Sequence, residues 1–65
     1  MKSLRFKLCK MVLERFTVIH EDWMLGTRMQ EVKIIRLKDI ESMCAFFGVD
    51  YWQMYRTIHE DYIIR

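Results

Sequence analysis

Apolar residues between positions 3 and 25 recur every three or four residues, which is the repeat of an amphipathic helix. The stripe consists of Leu4, Leu8, Met11, Val12, Phe16, Ile19 and Trp23. Ser3 offers an N-cap hydroxyl at one end, and Gly26 offers the left-handed conformation with which many helices end. The pattern therefore predicts one long helix over residues 3–25.

The same segment admits a β-hairpin as the alternative. Its chain would turn on Gly26-Thr27, with glycine first as a type II′ turn prefers. That register places Asp22 opposite Glu31, a like-charged pair that destabilises a hairpin. The helix has its own weakness, because Glu21 and Asp22 would lie near its C-terminus, where the helix dipole disfavours acids. The two strands of this alternative hairpin would be residues 16–25 and 28–37. We favour the helix.

Residues 31–37 are ambiguous between strand and helix. Three β-branched residues favour an extended conformation. Thr27 and Gln30 match the T-x-x-Q spacing of a capping box, which would instead open a helix. We favour a short extended segment.

The C-terminal half predicts two further helices. Residues 38–47 have an apolar face that ends at Gly48, and Asp50 predicts the N-cap of a helix over 51–63. Its expected apolar stripe consists of Trp52, Tyr55, Ile58 and Tyr62, with Met54 beside it. The predicted fold is mainly α: one small helical domain over residues 1–65, with a long N-terminal helix, a helical C-terminal pair, and room for a short extended segment or hairpin between them.

The predicted C-terminal pair resembles the helix–turn–helix of DNA-binding proteins over residues 36–58. The small Cys44 lies four positions before Gly48, whose backbone tolerates the positive φ of the turn. Thr57 departs from the pattern, which usually has an aliphatic residue there. The resemblance implies that residues 51–57 would enter the major groove. The nucleic-acid-binding residues of this interpretation are Lys33, Arg36, Lys38, Gln53 and Arg56.

Composition favours a protein partner over DNA. Of the 65 residues, 52% are hydrophobic, including six Met, four Phe, three Tyr and two Trp. A domain this small cannot bury them all, and exposed apolar patches mark interfaces. We therefore predict a small non-enzymatic binding or regulatory protein, an inhibitor or accessory factor such as a phage-type inhibitor, with a homodimer as a further option. The predicted partner-binding residues are Trp23, Tyr51, Trp52, Tyr55, Glu60, Asp61 and Tyr62.

Charge is unevenly distributed along the chain, although the net charge is only +2. Residues 1–13 are basic, with Lys2, Arg5, Lys7 and Lys10 and no acid, whereas residues 39–65 are mostly acidic. This asymmetry bears on partners rather than on fold. Because residues 1–13 are basic, a helix–turn–helix DNA-binding regulator remains the alternative function.

The tetrapeptide Ile-His-Glu-Asp occurs twice, at 19–22 and 58–61. Neighbouring residues on a helix point about 100° apart, so few of these side chains could ligate one metal ion. The spacing matches no known metal motif. We expect the isoleucines to be core anchors and the acids to be solvated or to face a cationic partner.

No catalytic, cofactor or metal site is predicted. Cys9 and Cys44 lack metal-ligand spacing and are expected to be free, buried thiols in a reducing cytosol. The charged N-terminus differs from a signal peptide, and no run reaches the roughly 20 apolar residues of a membrane span. A cytoplasmic protein without a membrane role is expected.

Overall fold

The computed structural model describes residues 3–65, and Met1 and the basic Lys2 lie outside the described residues. Its elements in chain order are α1 (Leu4–Phe16), β1 (Ile19–Leu25), β2 (Arg28–Ile35), α2 (Leu37–Phe47), α3 (Tyr51–His59) and β3 (Ile63–Ile64). The three strands form one mixed sheet in the order β1-β2-β3. The prediction of a mainly α, all-helical fold is therefore wrong, because this is an α+β fold.

Helix α1 begins as predicted but ends nine residues early. The backbone N–H of Phe6 donates to the Ser3 hydroxyl at 3.2 Å, which confirms the N-cap. At the other end, both the hydroxyl and the N–H of Thr17 donate to the carbonyl oxygen of Leu13. Thr17 has left the helical conformation, with a φ of −120°, so the helix ends at Phe16. Residues 19–25 instead form a strand that pairs with residues 28–34.

The apolar stripe predicted for α1 is also wrong. The buried face of α1 consists of Phe6, Cys9 and Leu13, whereas Phe16 is 79% exposed. Both sets of residues follow a helical repeat, so α1 carries two apolar stripes. The one that packs on the helices α2 and α3 is buried, and the other remains at the surface: Leu4, Leu8, Met11 and Phe16.

Strands β1 and β2 form the hairpin that the sequence offered as an alternative. They turn on Gly26-Thr27 and set Asp22 opposite Glu31. Gly26 has a φ of +65°, and among residues 3–65 only the two glycines have positive φ, which is the sign pattern of a type II′ turn. Gly26 therefore does not end a helix, and the T-x-x-Q box opens none. The extended interpretation of the segment after Glu31 is confirmed as far as Ile35.

Helices α2 and α3 are joined by a three-residue turn. Gly48 has a left-handed φ of +69° and ends α2, and the Asp50 carboxylate accepts the N–H of Gln53 at 3.1 Å. Both caps were predicted. Helix α3, however, ends at His59 rather than at residue 63, because the chain turns and Ile63 pairs in parallel with Ile34.

The stripe predicted for the third helix is displaced. Met54 and Ile58 are the fully buried residues of α3, and Trp52 is 64% exposed. The core cluster contains one or more residues from every helix and from β2: Phe6, Cys9, Leu13, Ile35, Ile40, Cys44, Met54 and Ile58. The two thiols at its centre are free and hydrogen-bonded to each other. The described helices include none that is long and apolar enough to cross a bilayer.

The hairpin projects from this body. Its outer part, residues 22–31, is exposed at every position, and we call it the arm. The molecule measures 43 × 21 × 17 Å, and its radius of gyration is 13.0 Å. A compact chain of this length would have a radius of gyration of about 10.7 Å. The arm thus stands clear of the helices and lengthens the molecule.

Candidate binding surfaces

The arm presents large apolar side chains on both of its faces. Met24 and Met29 lie opposite each other, and they are 61% and 62% exposed. Trp23 and Leu25 project from the opposite face, because successive side chains in a strand alternate. Together these four residues form what we call the arm tip. Among residues 3–65 no other element packs over the arm, so all four side chains are exposed, Trp23 least at 37%.

Trp23 is held in place by a small polar network with Glu21 and the C-terminal Arg65. Its indole Nε1 donates to Oε1 of Glu21 at 2.9 Å. The guanidinium of Arg65 donates two hydrogen bonds of 2.9 Å to the same carboxylate. These bonds, those of Arg65 first, lower the pKa of the Glu21 carboxyl. Trp23 is therefore an exposed ring with a fixed orientation, on a strand and not on the predicted helix.

Three of the predicted partner-binding residues form an aromatic cluster on α3. The ring of Trp52 lies 5.0 Å from that of Tyr51 and 5.8 Å from that of Tyr55, both in edge-to-face geometry. The Tyr55 ring also stacks on His59 at 6.2 Å. The structure thus unites these three residues, on an element different from that of Trp23.

The remaining predicted residues lie in the turn after α3. Glu60 and Asp61 are exposed, and neither forms an ion pair with any described residue. Tyr62 has a different role, because its hydroxyl donates to Oε2 of Glu14 at 2.9 Å and its ring packs against the core. Burial and this bond raise the pKa of the Tyr62 phenol. Tyr62 ties the C-terminal segment to α1.

The five residues predicted to contact nucleic acid are distributed over three elements and the residue that precedes α2. Lys33 lies on β2, Lys38 is exposed on the first turn of α2, and Gln53 and Arg56 are exposed on α3. The fifth, Arg36, precedes α2 and forms an ion pair with the carboxylate of Asp39, with 2.8 Å between Nε and Oδ2.

A sixth cation, Arg5, lies near the turn; it was counted in the basic N-terminal segment, but this position was not predicted. The guanidinium of Arg5 reaches from α1 to Gly48, where its Nη1 lies 3.7 Å from the position that a Cβ on the glycine would occupy. This contact depends on how α1 packs against α2, so no local signal in the sequence announces it. It places one cation beside the turn that precedes α3.

A groove of about 450 Å³ runs between the arm and the turn after α3. Residues 30–33 of β2 form one wall, and residues 59–63 form the other. Its charged side chains are Glu31, Lys33, Glu60 and Asp61, so acids predominate. Sequence reasoning singled out most of these residues separately. The groove itself was missed, because it exists only where β3 brings the C-terminus against β2.

The two Ile-His-Glu-Asp copies adopt different structures and do not form a common site. In the first copy, on β1, Nδ1 of His20 lies 3.3 Å from Oε1 of Glu31. In the second, Ile58 is a core residue at the end of α3, and its acids line the groove. Within residues 3–65, no group of three or more His, Cys, Asp or Glu side chains is placed to hold a metal ion.

Comparison with known proteins adds no family to this geometry. The chain matches no protein-family model, and it has no significant match among curated proteins or among solved structures.

Proposed function

We propose that this chain is an intracellular, non-enzymatic binding protein that engages a protein partner through its arm. The observation that supports this proposal is the arm tip: four large apolar side chains at the end of a hairpin that no other described element covers. An inhibitor or an accessory factor is the kind of small protein that such a surface suits.

The energetics of the arm favour a partner. A two-stranded hairpin without further packing is only marginally stable in water. The methionines and leucine at its end also leave apolar area exposed, at a cost of roughly 25 cal/mol for each Å². A partner that covered the arm tip would bury this area and order the strands at the same time. Met24 and Met29 are well suited to such a contact, because the unbranched thioether adapts to irregular surfaces.

The test is the double substitution Met24→Thr, Met29→Thr, compared with Phe46→Ser. Threonine keeps the β-propensity of the strands while it removes most of the apolar area. Phe46 is a matched control, because it is 79% exposed and lies on α2, outside the arm. Each protein would be immobilised and used for affinity capture from nuclease-treated host lysate, with the bound proteins identified by mass spectrometry.

We expect the wild type and the Phe46→Ser variant to capture the same partner and the arm variant to lose it. Circular dichroism would show that all three proteins are folded. Retention of the partner by the arm variant, with loss in the Phe46 variant, would assign binding to α2 and overturn the proposal.

One observation favours DNA binding as a second candidate. Arg5 beside Gly48 and Arg56 on α3 place two cations near the segment that a helix–turn–helix would insert in the major groove. Against it, acids at positions 50, 60 and 61 surround α3, and DNA affinity comes mainly from neutralising phosphates. A DNA-binding function predicts retention on duplex DNA at low salt with a steep loss as salt rises, and Arg56→Ala would weaken it.

A further inference from the structure

We infer that the groove between β2 and the turn after α3 binds an extended, basic peptide segment, which adds a strand to the open edge of β2. This inference rests on the proposed protein-binding function. It adds a second contact site, the groove, and specifies that the partner segment bound there is basic and extended. Addition of a strand to an exposed sheet edge is a common mode of peptide recognition.

The edge of β2 is open over most of its length. Strand β3 pairs only with Ile34 and Ile35, so no strand within residues 3–65 pairs with β2 on that side over residues 28–33. The carbonyl of Ile35 accepts the N–H of Arg65, which shows that the backbone groups of Ile35 point towards β3. By the alternation of a strand, those of residues 29, 31 and 33 point the same way.

The open edge of β2 borders the groove rather than bulk solvent. Residues 59–63 form the opposite side of the groove, in line with the start of β3. A peptide placed there would run end to end with β3 and would pair with Met29, Glu31 and Lys33. The outer edge of β1 is open too, but no residue of β1 lines this groove.

The charged side chains that line the groove favour a basic peptide. Glu31, Glu60 and Asp61 line the groove against a single cation, Lys33. The carboxylates of Glu60 and Asp61 have no ion-pair partner among residues 3–65, so they are free to meet lysine or arginine side chains. Complementary charges of this kind favour the encounter and set specificity.

Other occupants fit less well. Nucleic acid would bring phosphates against the three acids. A second copy of this chain would offer the open strand β1, whose Glu21 and Asp22 repeat the charge that is already present. A basic extended segment of another protein satisfies both the backbone groups and the carboxylates.

The probe is a capped peptide of about seven residues that alternates valine with lysine, a length that spans residues 29–33 with one residue to spare at each end. Two further peptides serve as controls: one replaces lysine with glutamate, and one carries N-methyl groups on alternate residues, which remove the donors that would face β2. Binding to the ¹⁵N-labelled full chain would be followed by amide chemical shifts.

We expect the basic peptide to shift the amides of Met29, Glu31 and Lys33, and both control peptides to leave them unchanged. The variant Glu60→Gln, Asp61→Asn should bind the basic peptide about fivefold more weakly, the combined effect of two exposed charge pairs. Asp22→Asn, which removes an exposed acid from β1, should bind like the wild type.

Several results would overturn the inference. The first is the absence of shifts at about 1 mM peptide, which would place Kd above the millimolar range. The others are shifts confined to the β1 residues 20, 22 and 24, equal binding of the N-methylated peptide, and shifts of the groove amides by duplex DNA but not by the peptide. Failure here remains distinguishable from failure of the proposed function, because the capture experiment depends on Met24 and Met29, which this experiment leaves intact.

Discussion

At the residue scale, the two buried cysteines show that thiols serve in this core as small apolar side chains. Cys9 and Cys44 join α1 to α2 in the core cluster, where the thiol of Cys44 donates a hydrogen bond to the sulfur of Cys9. Burial disfavours a thiolate, and it raises the pKa of both groups, that of Cys44 to about 12. The thiols therefore stay neutral and packed at every physiological pH.

This burial predicts a loss of stability at alkaline pH. The unfolded Cys44 ionises near 9.0 and the folded one near 12, so the neutral thiol contributes its full stability below pH 9. The free energy of unfolding should fall as pH rises from 9 towards 12, because only the unfolded state releases the proton. Urea denaturation at a series of pH values would measure it. For the Cys44→Ala variant, the free energy of unfolding should fall less steeply over the same pH range. An equal slope in the variant and the wild type would contradict the assignment to Cys44.

A second residue-scale prediction tests which of the two apolar stripes of α1 contributes to stability. Leu13 is fully buried, and Leu13→Ala should lower the free energy of unfolding by about 2–5 kcal/mol, as expected for a large-to-small change in a core. Phe16 belongs to the stripe that the sequence favoured, but it is exposed, so Phe16→Ala should change stability by less than about 0.5 kcal/mol. Equilibrium urea denaturation would compare the two, and a larger cost at Phe16 would restore the stripe that the sequence favoured.

At the scale of elements, sequence reasoning was correct where structure is set locally and wrong where it is set by distant pairing. The caps at Ser3, Gly48 and Asp50 depend on neighbours within a few residues, and all three were predicted. The ends of α1 and α3 depend on strands that pair across the chain. The sequence Ile-His-Glu-Asp makes this plain, because it is a strand at 19–22, whereas at 58–61 it forms the end of a helix and the turn that follows.

The hairpin was hard to recognise for a physical reason. An apolar–polar alternation arises where one face of a strand is buried. Residues 22–31 bury neither face, so they carry no such pattern, while the apolar residues of 4–23 happen to fit a helical repeat. The candidate binding surface shares this limit. Trp23 was predicted, but Met24, Leu25 and Met29 were missed, because only the fold shows that they are exposed.

The arm should therefore be the least protected element of the fold. Backbone amides open with a free energy that depends on local packing. The hydrogen-bonded amides of Trp23 and Gln30 in the arm should exchange with solvent much faster than that of Ile35, whose side chain belongs to the core. Hydrogen exchange followed by NMR would measure all three in one sample. Equal protection along β2 would mean that the hairpin opens only with the whole molecule.

At the scale of the whole molecule, stability and the proposed partner binding belong to different parts. The core cluster contains no residue of the arm, and the contacts between helices involve only the body. The arm contributes length and exposed apolar area instead. Such a division lets the arm adapt to a partner without a cost to the fold, and it implies that the body can fold alone.

This division predicts the outcome of removing the arm. Replacing residues 22–31 with Asn-Gly would join Glu21 to Val32, which lie opposite each other in register, through a turn that favours hairpins. We expect the free energy of unfolding to change by less than about 1 kcal/mol, because the deleted residues bury almost nothing. The radius of gyration should fall from 13.0 Å to about 10 Å. Urea denaturation and small-angle scattering would measure both, and a shortened chain that does not fold would show that the arm belongs to the stability of the body.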